Sequence, residues 1–249
     1  MNIFYLLFTV GFFVFPGESV AQKDKQSWCE VSNTHSKAPQ LLVLFDKTEN
    51  YEKALILNII EKISDEKEKL SEGARVSFFT FDKETGYHAS IFTDSFCVAG
   101  NPSVLLSNKR DIKLRKKREN DRISQFFVSQ NPTSGTNGSP IADALISMSR
   151  SQLLAATASE IKLILISDLI ENSEKARLGS KKLNVEDANK FANDLSAGQK
   201  FPIKTNVIVL YVQRQKYLLT QSGESLELLW KKFFRNVGVV SEVAVVKIQ

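Results

Sequence analysis

Histidine and cysteine are the scarcest reactive residues in this chain of 249, at two each. Two cysteines exclude a disulfide-dense mini-protein and any four-cysteine zinc site. Two histidines, His35 and His88, leave no room for a His-rich metal centre. With six prolines and 11 glycines the chain is neither collagen-like nor a linker. The common catalytic loops are missing as well. There is no G-x-S-x-G, no Walker loop, no H-E-x-x-H and no G-x-G-x-x-G. The net charge of +5 is mild, and solubility alone accounts for it. What the chain has is apolar material. Hydrophobic residues make up 43% and charged residues 24%, the balance of a folded α/β-sized protein.

The longest uncharged run lies at the start. Ile3 to Phe15 reads IFYLLFTVGFFVF. It is too short to span a bilayer comfortably and suits the apolar region of an export signal. Pro16-Gly17 breaks it, and Ser19-Val20-Ala21 supplies small residues before a cut after Ala21. Residues 1–21 are therefore expected to be a signal peptide, and 22–249 one exported domain, periplasmic or secreted. An uncleaved anchor is the alternative. In an oxidising compartment Cys29 and Cys97 are expected to pair. That bond would close a loop of roughly 70 residues and contribute about 4 kcal/mol.

Apolar patterning orders the rest. Leu41–Phe45, Arg75–Phe81, Tyr87–Phe96, Ile161–Ile166, Asn206–Val212 and Val239–Ile248 read as strands. Helices are expected over Tyr51–Leu70, Lys109–Phe127, from Ser139-Pro140 onward with Ser139 as N-cap, and over Val185–Leu195. Leu226, Leu229, Trp230, Phe233 and Phe234 recur at helical spacing and predict one more, with a packed aromatic face. Strands that alternate with helices imply a doubly wound α/β fold. Its mostly parallel six-stranded sheet carries one antiparallel edge strand, with helices on both faces. Ligands in such sheets sit beyond the carboxyl ends of the strands.

The residues there are Asp46-Lys47-Thr48-Glu49-Asn50 after the first strand and Ser167-Asp168-Leu169-Ile170-Glu171-Asn172 after the fourth. Between them lies Gly135-Thr136-Asn137-Gly138-Ser139-Pro140-Ile141, followed by Ala144-Leu145. In these loops, and in element order over residues 40–249, the chain resembles the von Willebrand factor A (vWA) domain family. It looks most like small exported vWA-like proteins of bacterial conjugative elements. The family's adhesion site is D-x-S-x-S, a Thr in a G-T-P-L-x-x-A-L-like loop, and an Asp ending the fourth strand. The resemblance implies Asp46, Thr48, Asn50, Ser139 and Asp168 as ligands of Mg²⁺ or another divalent cation, with Thr136 the other candidate for the Thr. Asn50 stands in place of a Ser, Ser139 of the Thr, and Leu169 of the Gly that follows the last Asp. Hard cations take such oxygen ligands and keep a position open for a partner's carboxylate. Without a cation the carboxylates repel, so Asp46→Ala is expected to abolish the metal response and relieve that repulsion.

The function implied is protein binding through a metal, not catalysis. Two alternatives stay open: a scaffold with a degenerate metal site acting through a basic surface, and a metal-dependent phosphoesterase. A haloacid-dehalogenase-like site needs an Asp where Thr48 stands. The basic surface is the run Lys109, Arg110, Lys113, Arg115, Lys116, Lys117 and Arg118. It is either a solvated helix face or an anion-binding patch centred on Arg115, Lys116, Lys117 and Arg118. Its ligand would be headgroups, cell-wall polymer or DNA. No aromatics interleave with it, which argues against single-stranded nucleic acid, and an exported protein meets nucleic acid only in special settings such as conjugation.

Overall fold

The computed structural model describes residues 39–82, 90–99, 109–132, 138–150, 158, 160–179, 182–201, 205–239 and 243–248. The expected signal peptide, Cys29, His35, His88 and Thr136 lie outside the described residues.

Six strands form one sheet: β1 (Gln40–Asp46), β2 (Arg75–Phe81), β3 (Ile91–Cys97), β4 (Ile161–Ser167), β5 (Thr205–Val212) and β6 (Ala244–Ile248). Their spatial order is β3-β2-β1-β4-β5-β6. All pairings are parallel except β2 with β3, so β3 is the antiparallel edge strand. The helices are α1 (Lys53–Glu68), α2 (Lys109–Gln130), α3 (Ile141–Ser149), α4 (Val185–Ser196), the single-turn α5 (Leu218–Gln221) and α6 (Ser225–Asn236). A 3₁₀ turn, Gln215–Tyr217, runs into α5.

β1 is buried along its whole length because it serves two cores. Leu41, Val43 and Phe45 meet α1 and α2 on one face; Leu42 and Leu44 face α3, α4 and α6 on the other. This is why its sequence is continuously apolar instead of alternating. Phe45 stacks edge-on against Phe127, with centroids 5.1 Å apart. On α1 the buried stripe is Ile56, Ile59, Ile63 and Lys67. Lys67 ends that stripe fully buried, and its charge is matched by Glu119 Oε2 at 3.1 Å and Asn120 Oδ1 at 2.8 Å, both on α2. A buried cation persists only when paired in this way. The aromatic face predicted for α6 is buried throughout, and the small Ala188 and Ala192 of α4 lie in the same core.

Three expectations change. β6 is five residues long, since Val239 and Val243 lie outside it. β3 begins at Ile91; residues 87–89 of the expected strand lie outside the described set. Ser139 does not cap α3, for a reason given below.

Cys97 closes β3 and is not a free thiol. Pairing with Cys29 remains our proposal. Protein purified from an exporting host should show no titratable thiol in denaturant; two thiols would exclude the bond.

Candidate metal centre

β1 and β4 are the neighbouring strands at which the chain reverses its direction of winding, the switch point where doubly wound sheets bind ligands. Asp46 is the last residue of β1 and Ser167 the last of β4. Both are buried, and everything at the site is arranged around Asp46.

The Asp46 carboxylate accepts four hydrogen bonds. Oδ1 takes the Thr48 backbone N–H at 2.9 Å and the Thr48 hydroxyl at 2.5 Å. Oδ2 takes the hydroxyls of Ser139 at 3.0 Å and Ser167 at 2.7 Å. A hydroxyl has one proton and two lone pairs. Thr48 and Ser139 spend their protons on Asp46 and keep oxygen lone pairs for another ligand. Ser167 differs, because its oxygen also accepts the Leu169 N–H at 3.0 Å, so it braces Asp46.

Asp168 stands beside this cluster. Its Oδ1 accepts the Ile170 N–H at 2.9 Å, while no hydrogen bond reaches Oδ2 from the described residues. Burial, and next the charge of Asp46, push its pKa up to about 8. Burial also raises Asp46 above the usual carboxylate range, against the four hydrogen bonds that lower it. A cleft of about 130 Å³ opens over the group, lined by Thr48, Glu49, Ser139, Asp168, Asn172 and Tyr217 among others.

Each residue of Ser167–Asn172 has a physical task. Leu169 is the sole non-glycine residue with a left-handed backbone among those described, at φ 63°. That conformation is costly for a side chain with a Cβ. It persists because Leu169 is fully buried, its carbonyl accepts the Trp230 indole N–H at 2.9 Å, and the preceding carbonyl of Asp168 accepts from Gln221 Nε2 at 2.9 Å. Asn172 and Ser139 exchange backbone hydrogen bonds, at 2.9 and 3.3 Å, which carries the Ser139 loop to β4. Glu171 is fully buried and its Oε2 accepts the Ala142 N–H at 2.9 Å. It therefore fills the capping role expected of Ser139. Pro140 is the residue before α3 and offers no side-chain cap, and the Ser139 hydroxyl is committed to Asp46.

Of the expected ligands, the structure gathers Asp46, Thr48, Ser139 and Asp168. It does not gather Asn50, whose side chain is exposed and whose carbonyl instead accepts Arg214 Nη1 at 2.6 Å. The chain turns inward immediately after it. Tyr51 is buried, and Asn131 clamps its backbone from both sides, accepting its N–H at 3.0 Å and donating to its carbonyl at 2.8 Å. Arg214 lies 4.5 Å from the Tyr51 ring centre, and Lys216 pairs with Glu49 at the cleft. Ser167, Glu49, Arg214 and Lys216 were not anticipated. The last two stand just after β5, at the edge where ligand-binding loops gather, which was the one available signal.

The residues present fit a hard divalent cation. Two buried carboxylates and two hydroxyls with spare lone pairs converge under an open cleft, an all-oxygen set of the kind Mg²⁺ takes. Among the described residues no three His, Cys, Asp or Glu side chains converge, so hydroxyls and water would complete the coordination.

Glu171 yields a separate prediction. Burial raises its pKa to about 8 from an ordinary value of 4.5, so the folded state holds a proton that the unfolded chain releases. Stability from this group is complete below about pH 4.5, falls as pH rises, and levels off above about pH 8. Glu171→Gln keeps an acceptor for Ala142 and cannot ionise. Denaturant titrations from pH 5 to 9 should show the variant gaining on wild type by on the order of a few kcal/mol at the alkaline end. A constant difference would contradict the assignment.

No protein-family model matches this sequence, and neither does any curated protein. Among solved structures the chain is similar to the PilB minor pilin of Streptococcus sanguinis, with 13% identity, a TM-score of 0.41, and coverage of 85% of this chain and 57% of that one. It is similar to the pilus adhesin SpaC of Lactobacillus rhamnosus GG in its open conformation, with 12% identity, a TM-score of 0.46, and coverage of 85% and 28%. The human COPII-coat protein Sec24c gives 12% identity, a TM-score of 0.38, and coverage of 86% and 30%. The chain thus spans between about a quarter and three-fifths of the length of these proteins.

Proposed function

We propose that this protein is an exported vWA-like binding domain that holds a divalent cation with Asp46, Thr48, Ser139 and Asp168 and engages a protein partner through it. One observation carries the reading: Thr48 and Ser139 both donate to Asp46 beneath a cleft at the β1–β4 switch point that they themselves line with Asp168. When bound, the cation supplies positive charge and an open coordination position for a partner's carboxylate.

The chain's own residues do the rest. Asp46 orients the two hydroxyls so that their lone pairs are spared. Ser167 fixes Asp46 from behind. Gln221 and Trp230 hold the successive carbonyls of Asp168 and Leu169 in place. Among the described residues the acid lining the cleft besides Asp168 is Glu49, and it is paired with Lys216, which favours the binding reading. Among the described residues no helix is long and apolar enough to cross a membrane.

Capture of envelope proteins on the immobilised chain, with Mg²⁺ or with chelator, tests this reading. A partner retained in Mg²⁺, released by chelator and absent from a Ser139→Ala column is expected. Equal capture in chelator would point to the scaffold alternative.

A further inference from the structure

The basic run falls on α2, and the structure sorts its members. Lys116 is tied to Glu68 of α1 at 2.6 Å, and Arg115 is half-buried and already has a partner. Lys109, Lys113, Lys117 and Arg118 are exposed and make no ion pair among the described residues. The first three repeat every four residues and form one row along the helix. Leu114, 46% exposed, and Arg118 lie four apart in the adjacent row. Like charges at this spacing repel and weaken a helix. Among the described residues no carboxylate pairs with them, and an anionic ligand would remove the penalty.

The position of this face is defined by the contacts of its helix. α1 descends from the cleft edge of the sheet to the opposite edge. Lys67 and Glu68 at its end meet Glu119, Asn120 and Lys116, so α2 ascends beside it. Asn131, just past the end of α2, reaches Tyr51 at the cleft edge. The turns from Lys109 to Arg115 precede the level of Glu68. At 1.5 Å per residue they place Lys109 about 10 Å further from the cleft. β1 also begins at this edge, at Gln40. The edge strand β3 ends there too, with Cys97 opposite Arg75.

We propose that Lys109, Lys113, Lys117 and Arg118 dock this pole on an anionic phospholipid surface, with Leu114 inserted among the headgroups, leaving the cleft at the opposite pole open to its partner. A lipid surface is favoured over a polymer by the exposed leucine between the cations, the arrangement of interfacial helices. The proposal does not depend on the metal reading.

The test is co-sedimentation of the full chain with phosphatidylcholine vesicles, with and without about one-third phosphatidylglycerol. Each cation near an anionic bilayer strengthens binding about fivefold, so four give a preference of several hundred-fold at low salt, falling as salt rises. Changing Lys109, Lys113, Lys117 and Arg118 together to Gln should remove at least a hundredfold of it. A control with the exposed and scattered Lys53, Lys62, Lys190 and Lys200 changed to Gln has the same net charge and should keep the preference. All eight positions are exposed, and matching melting curves confirm that both variants fold. Leu114→Ser should weaken binding several-fold at high salt, where the apolar contact dominates. Equal loss in both variants, or no preference for anionic over neutral vesicles, would overturn the proposal. Retention on heparin or DNA by a protein indifferent to the vesicles would also overturn it, in favour of a polymer ligand.

Discussion

Millimolar Mg²⁺ or Mn²⁺ is expected to raise the melting temperature of the wild-type protein by roughly 5–10 °C, and that of Asp46→Ala not at all. A ligand that binds only the native state adds RT ln(1 + [L]/Kd), about 2.7 kcal/mol at a hundred times its Kd. A protein of this size gains about 2–4 °C per kcal/mol. Relief of carboxylate repulsion on its own would make Asp46→Ala the more stable protein in chelator. The geometry reverses that expectation. Asp46 is the common acceptor for Thr48, Ser139 and Ser167, and its removal strands three buried hydroxyls beside a cavity. Each buried donor left without a partner costs about 1–3 kcal/mol. Lowered repulsion at Asp168 offsets only part of this. The variant should therefore melt below wild type in chelator as well as in metal, and calorimetric scans in both buffers separate the two effects. A metal-blind wild type would leave the scaffold alternative standing.

Trp230→Ala is expected to cost about 3–5 kcal/mol, the range for a fully buried aromatic side chain. Trp230 packs against Phe233 at 5.4 Å and Phe234 at 6.5 Å between ring centres. It is also a support of the metal cleft, although it lies 61 residues from Leu169 in sequence. Its indole N–H satisfies the carbonyl of the residue held at positive φ. Without that bond the peptide after Asp168 has less reason to stay left-handed, so Asp168 loses its fixed position. Trp230→Phe separates the two roles. It keeps most of the packing, costs about 1–3 kcal/mol for the unpaired carbonyl, and should weaken metal affinity about tenfold. Urea titrations give the stability change, and metal titration of the folded variant gives the second. Undiminished affinity in Trp230→Phe would confine Trp230 to the core.

The fold was legible in the chain because its signals are local. The apolar runs at Leu41–Phe45 and Ile161–Ile166 mark buried parallel strands, and the five-residue aromatic face of α6 is packed as its spacing requires. That Asp46, Thr48, Ser139 and Asp168 meet at one edge of the sheet was also legible, since each sits a fixed step from a strand or helix end. The errors share one cause, a partner remote in sequence. Asn50 continued a regular D-x-T-x-N spacing, but Asn131, 80 residues away, draws Tyr51 inward and leaves Asn50 outside. Ser139-Pro140 has the form of a helix start, yet Glu171 takes the cap from another loop and releases Ser139 for Asp46. Ser167 looked like the end of a strand, and its role as a brace exists only because β4 lies beside β1. Leu169 stands where a glycine would suit the backbone; burial and Trp230 make the residue tolerable there.

The central claim, a cation held by Asp46, Thr48, Ser139 and Asp168, is tested most directly by titrating Mn²⁺ into the metal-free full chain by isothermal calorimetry, beside Asp168→Asn. Asn preserves the size of the side chain while removing one of the two charges on which the site depends. The account predicts one ion per chain for wild type and a loss of at least a hundredfold in affinity for the variant, with the fold intact by circular dichroism. No binding to wild type, or equal binding to both proteins, would contradict it.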